Sequence, residues 1–402
     1  ALGRRARRRA VDRVPQGPAA VSREIRVRGL PQRLARSRRL FPAARVRGFS
    51  LVELMVAMTI SLVLFAGALA IYFTSRATYT DNDRIARLQE TGRIALDLLV
   101  RDARGAGWVG CVRNTLFAND LATPNDMRWD FSRAIQGYDG NGASIDAAAG
   151  TTGRPGYSAA PLTVNPGSIT PDPASDVLVL RGPAREGAPW ELADTMADFN
   201  SPLEIEPAPA GMAPGMTPGL DNSVMLATDC RFTSVFRMTN AGGVGTTTIQ
   251  HAGGVGTPAN GSAALSFAFQ PRGVVMPLRS VVYWVAPTPG SPDATARSLF
   301  RRINDLPAEE LLPGVQSMQL LFGEDTPRDG RVDAYRNARA VTDWNNVVAV
   351  QVSLLVRTPD EAGTFTDTQT YTLLDAPGLG PFGDRHQRMV FSSTISLRNL
   401  IR

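Results

Sequence analysis

An α+β fold is predicted, a long N-terminal helix packed on a mostly antiparallel β head, and three features of the sequence predict it. Residues 49–73 form an apolar run free of Pro and broken by one charge, Glu53. That run passes into a patterned stretch ending near Arg104, and beyond residue 176 the chain turns to short, often alternating, strand-like runs. The 37 Gly and 29 Pro suit short strands joined by turns better than a helical bundle. With 402 residues, 43% of them hydrophobic and 20% charged, the chain is long enough for one large or two modest domains with a buried core.

Four segments follow in order: a basic leader over 1–48, a helix over 49–104 whose residues 49–73 span a membrane, a loop-rich insertion over 105–175, and a β-rich head over 176–402. The leader holds fifteen Arg against Asp12 and Glu24, a net of +13, so the chain's total of +6 leaves −7 for the rest. Arg-rich runs beside a membrane span stay cytoplasmic, so Arg36 to Arg47 place the leader inside and the body outside. A basic arm also suits nucleic acid, but a body carrying −7 has no bulk attraction for it.

At about 1.5 Å per residue, the run from Phe49 to Phe73 is long enough to cross a bilayer core of roughly 30 Å. After it, Ile85, Leu88, Gly92, Ala95 and Leu99 step by three and four along one stripe, with Arg84, Arg87, Glu90, Arg93 and Asp97 around the rest. Gly105-Ala106-Gly107 supplies the stop, and the whole helix would be roughly 80 Å long. Residues 112–175 are rich in Gly, Asn, Asp, Pro and Ala, with turn signals such as Tyr138-Asp139-Gly140-Asn141-Gly142. Strand-like runs then cover 176–180, 223–227, 232–238, 274–285, 318–322, 347–356 and 389–397.

A carboxylate inside a membrane segment costs on the order of 3 kcal/mol and calls for a partner. A cut between Gly48 and Phe49 would create one, because the new α-amine of one copy could face Glu53 of its neighbour. Small residues before that junction, Phe49 after it and Glu53 as the fifth residue beyond it resemble the class III signal of type IV pilins and pseudopilins. The resemblance implies that a prepilin peptidase cuts after Gly48 and N-methylates Phe49, and that Glu53 is the assembly residue. Two other readings stand beside it. One is an ordinary signal peptide cut after Ala66-Gly67-Ala68-Leu69-Ala70; the other is a plain single-span anchor, in which Glu53 has no purpose.

Within the body, Gly110-Cys111, Asp229-Cys230-Arg231, Tyr283-Trp284-Val285, Leu299-Phe300-Arg301, Pro313-Gly314-Val315, Leu320-Leu321-Phe322-Gly323, Asp343-Trp344-Asn345-Asn346-Val347-Val348 and Arg398-Asn399 resemble the PilW type of minor pilin. That resemblance implies help in initiating pilus assembly, a place near the filament tip with other minor and major pilins, and support for twitching motility and adhesion. It implies an inner-membrane protein with its leader in the cytoplasm and its head in the periplasm, reaching the cell surface once assembled. Neither a cofactor nor a small-molecule substrate is expected. A type II secretion pseudopilin, a tip adhesin and a DNA-uptake pilin are the alternatives, the last on a local basic patch of Arg297, Arg301 and Arg302.

The remaining candidates are few. An exported domain with two cysteines suggests a single Cys111–Cys230 bridge, against two unrelated buried thiols. Asp325, Asp329 and Asp333 surround an Asp-Gly turn and could offer oxygen ligands to Ca²⁺. Pro327 and Arg328 interrupt the alternation of a calcium loop, which favours a solvated turn. His251 and His386 lack the sequence neighbours of a metal site or triad, and no P-loop, G-x-S-x-G or zinc spacing occurs, so no enzyme is expected. Trp108, Trp129, Trp190, Trp284 and Trp344 read as core or loop anchors.

Overall fold

The structure, a computed structural model, describes residues 49–108, 110, 116–140, 145–146 (backbone alone), 169–184, 189–206, 223–240, 247–361, 365–376 and 378–400. The chain divides into two compact units, Ala1–Ala68 and Leu69–Arg402. Helix α1, Leu51–Gly105, starts in the first unit and ends in the second.

In the first unit every residue from 51 to 68 is exposed. Apart from Glu53, Thr59 and Ser61 the side chains there are apolar, and nothing among the described residues covers them. It is also long and apolar enough to cross a membrane.

In the second unit α1 buries Leu88, Gly92, Ala95 and Leu99 of the expected stripe, leaves Ile85 half-buried, and adds Asp102 and Ala103. Opposite charges line its outer surface at helical spacing: Arg84 with Asp81, Arg87 with Asp83, and Arg101 with Asp97. The helix ends at Gly105, and Gly107 at φ 75° turns the chain away. Asn399 donates from its side-chain amide to the carbonyls of Arg104 and Ala106 at 3.2 and 3.0 Å, so the C-terminal segment satisfies acceptors that a helix end leaves open.

Sixteen strands follow among the described residues. They are β1 Leu116–Asn119, β2 Ile135–Gly140, β3 Ile145–Asp146, β4 Val177–Pro183, β5 Trp190–Glu191, β6 Leu203–Glu204, β7 Val224–Thr228, β8 Phe232–Arg237 and β9 Thr248–Ile249, then β10 Val274–Pro287, β11 Arg297–Ile303, β12 Glu309–Pro313, β13 Val315–Glu324, β14 Ala334–Arg336, β15 Val347–Arg357 and β16 Arg388–Ser396. The larger sheet runs β1-β8-β7-β10-β4-β2-β3, with β11 pairing β10 and β12 and with β5 also on β10.

The spine of that sheet is β10. Its first four residues pair with β7, and its later ones pair with β4 and β11. Every pairing in the sheet is antiparallel except that of β1 with β8. A second sheet runs β14-β13-β15-β16, and β6 pairs with β9 alone.

The main core joins both sheets to the helix. Leu88, Ala95 and Leu99 meet Leu180, Tyr283 and Val285 from the larger sheet and Leu320, Val352 and Ile395 from the smaller one. Burying each Leu, Val or Ile there contributes about 1.5–3 kcal/mol. A separate core brings Leu203, Phe236, Ile249 and Phe269 together with Leu192, Met225 and Val275.

All seven expected strand runs are present. The structure differs from the sequence reading in residues 105–175, read as a loop-rich insertion. Their β1 and β2 are strands of the larger sheet, and Trp129, Phe131 and Ile135 between and within them are buried. The reason lies in Gly140, which read as a turn residue, and in Gly137 just before that turn signal, because both mark close approach. A Cβ at Gly137 would lie 2.3 Å from the Phe322 ring, and one at Gly140 would lie 2.6 Å from the Ser175 carbonyl oxygen.

Candidate functional site

The start of α1 is built by Ser50. Its carbonyl accepts the Leu54 N–H at 3.1 Å, and its hydroxyl faces the Glu53 N–H at 3.5 Å, the contacts of an N-cap. Glu53 therefore lies in the first helical turn, where the unsatisfied N–H groups favour a carboxylate. Phe49 stands just ahead of the cap and is 83% exposed. Its partner in the expected cut, Gly48, lies outside the described residues, as does the Arg-rich leader.

The second unit places a buried charge where α1 meets β10. Asp102 accepts from the Arg279 guanidinium at 3.0 Å and from the Tyr283 hydroxyl at 2.5 Å, and all three are buried. Burial, with the Asp102 charge beside it, pushes the Tyr283 hydroxyl above its ordinary value, so the tyrosine stays a donor. Removing either ion of such a pair strands the other, at a cost of about 3–5 kcal/mol. A cavity of about 140 Å³ lined in part by Arg101, Arg181 and Arg279 adjoins the pair, well under the roughly 300 Å³ at which small-molecule sites begin.

A second buried charge fixes the segment before β16. The side chain of Arg388 is enclosed by Asp367 at 2.7 Å, Asp384 at 2.5 Å and Gln316 at 2.6 Å, with its guanidinium 3.8 Å from the centre of the Phe382 ring. Hydrogen bonds from Arg388 hold the Asp384 carboxyl below its ordinary value. Sequence reading missed both clusters. For the first, the available signal was an acid at Asp102, three residues past Leu99 on the apolar stripe.

The other candidates part company. Cys111 lies outside the described residues, and Cys230, at φ 68° between β7 and β8, carries no free thiol. Asp325 is buried and accepts the N–H groups of Asp329 and Gly330 at 3.0 and 2.8 Å, while Asp333 accepts that of Thr326 at 2.8 Å. Those carboxylates shape their own turn, and among the described residues no group of three His, Cys, Asp or Glu could hold a metal ion. The basic patch is neutralised: Arg297 pairs with Asp172, Arg301 with Glu309 and Arg302 with Asp305.

Both ring nitrogens of His251 lie 2.9 Å from carbonyl oxygens, those of Ala263 and Ser201, and His386 Nδ1 lies 2.8 Å from that of Thr358. Both histidines are buried, as are Trp129, Trp284 and Trp344, while Trp108 and Trp190 are half-buried.

Residues 43–69, which include the Ser50 cap and Glu53, match the family model of the prokaryotic N-terminal methylation motif. Residues 282–399, from the second half of β10 to the Asn399 cap, match that of type IV pilus-assembly protein W. Over those two segments the chain is similar to PilW-type type IV pilins. Residues 70–281 lie outside both matches, so the amphipathic half of α1 and strands β1 to β9 stand beyond the matched parts. A type IV-like pilin from Thermus thermophilus is 19% identical over 45% of this chain and 84% of its own, with a TM-score of 0.19, too slight a likeness to carry an argument. No curated protein matches.

Proposed function

We propose that this chain is a type IV pilin, a minor subunit that initiates pilus assembly and supports twitching motility and adhesion. A prepilin peptidase cuts between Gly48 and Phe49 and methylates the new amine. Before assembly the protein sits in the inner membrane, with its leader in the cytoplasm and its head in the periplasm. The observation that carries this reading is a bare apolar stretch with one carboxylate, Glu53, in its first turn.

Such a surface suits lipid before assembly and other helices after it. In either setting the Glu53 charge is costly unless it is met, and the freed amine at Phe49 of an adjacent pilin meets it. The match of residues 282–399 supports the pilus over a secretion apparatus as the destination. The protein's chemistry is then done to it, at Phe49, and no catalytic group is invoked.

Glu53→Leu tests this. Membrane insertion and cleavage should persist, because neither needs the carboxylate, while the amount of the protein recovered in sheared pili and the number of pili should both fall severalfold. Normal incorporation with a normal pilus count would contradict the role given to Glu53.

The Cys111–Cys230 bridge belongs to the same reading, since the periplasm is oxidising and Cys230 has no free thiol. Closing a loop of about 120 residues stabilises the head by on the order of 4–5 kcal/mol in the chain-entropy model. Alkylating the native protein without reductant should label neither cysteine; two labelled thiols would rule the bridge out.

A further inference from the structure

Strand β16 ends its sheet. It pairs with β15 alone, from Arg388 opposite Arg357 to Ser396 opposite Ala349, with no bulge, and among the described residues no strand lies on its other side. The flanking bonds set the parity, because the Leu397 N–H donates to the Val348 carbonyl and the Thr358 N–H to that of Gln387. In an antiparallel ladder the positions bonded to β15 are then the odd ones. The N–H and C=O groups of Val390, Ser392, Thr394 and Ser396 consequently point to the open side.

Among the described residues the other edges of the head are short or guarded. Strand β1 has four residues, β14 three and β3 two, while β12 carries Glu309, Glu310 and Pro313. Charge, proline and shortness are what keep edges from pairing. Strand β16 has nine residues and, from Met389 to Ser396, neither charge nor proline.

The charges that bracket it are both basic. Arg385 and Arg398 are exposed, and neither forms an ion pair among the described residues. Antiparallel pairing of β16 with β16 of a second copy would bring Arg398 of one near Arg385 of the other, and like charges there oppose it. A strand with acidic residues at its ends complements the same edge.

We propose that β16 is a docking edge that receives, by strand addition, an acid-ended edge strand from the head of a different pilin. This rests on the pilin reading above. Backbone bonds supply the affinity, and Arg385 and Arg398 choose the partner.

The test uses the full chain in its own cells, with a benzophenone amino acid in place of Ser396 and, separately, of Leu62 in α1. After irradiation, cross-links from 396 should map to an acid-ended strand of another pilin. Thr394→Pro, which removes an outward N–H and leaves the β15 ladder intact, should lower that yield about five- to tenfold, as expected for losing one backbone bond. Thr394→Lys, which keeps the backbone and places a charge on the edge, should lower it similarly and serves if the proline chain does not accumulate.

Cross-links from 62 to other pilins should be unchanged in both variants. If 396 couples only to a second copy, to lipid or to nothing, or if neither variant lowers its yield, while 62 still reaches other pilins, the docking edge is overturned and the pilin reading survives. Loss of pilin cross-links from both positions in the otherwise unaltered chain would overturn the two together.

Discussion

Asp176 shows how much one buried carboxylate decides. At the start of β4 it accepts the Gly140 N–H at 2.9 Å and the Leu320 N–H at 2.7 Å, tying the larger sheet to β13 of the smaller one. Burial pushes its carboxyl up to about 8 from an ordinary 3.8, against the pull of those donors and with Asp139 and Asp375 adding to the rise. Between those two values the folded chain keeps a proton that the unfolded chain has released. Stability therefore falls as pH rises across that window, by at most about 1.4 kcal/mol per pH unit. Urea unfolding of the full chain in detergent at pH 5, 6.5 and 8 should show the decline, and Asp176→Asn should flatten it; equal slopes in the two proteins would contradict the assignment. Asp176 stood in the sequence as the first residue of a strand run, with nothing to announce its role, because the groups it bonds lie 36 and 144 positions away. Asp102 was hidden in the same way, its partners Arg279 and Tyr283 being 177 and 181 positions off.

At the scale of elements, α1 was the most legible part, since its period, its stripe and its glycine stop are all local. The seven strand runs were legible because apolar and β-branched residues dominate them. Strand β11, with its Arg297, Arg301 and Arg302, did not read as a strand, and only its acidic neighbours, some distant in sequence, explain how it is tolerated. The junction of α1 with β16 was equally hidden. Gly92 admits Phe391 so closely that a Cβ would lie 2.4 Å from the ring. Gly92→Ala should therefore destabilise the head by about 1–3 kcal/mol although alanine is the better helix former. Gly67, with nothing within 4 Å of its would-be Cβ, provides the control. Urea midpoints of the two variants decide it: a lower midpoint for Gly92→Ala alone is expected, and an unchanged one would show that the ring has room to move.

On the scale of the whole molecule, two units meet different physical demands. The second closes its own cores from both sheets and the amphipathic part of α1. The first leaves residues 51–68 bare, a cost in water of the order that drives membrane insertion or helix association. The sequence already separated the two through charge, with +12 in residues 1–68 and −6 in residues 69–402. What it could not convey was how the body's acids are spent, on Arg297, Arg301, Arg302 and Arg388 and on turns, because those pairings exist only once the strands are in register. The account as a whole turns on the amine at residue 49. Mass spectrometry of the N-terminal peptide of the protein from piliated cells reads it directly: an N-methylated Phe49 is expected, and an intact leader, or a terminus at Ile71, would contradict the account.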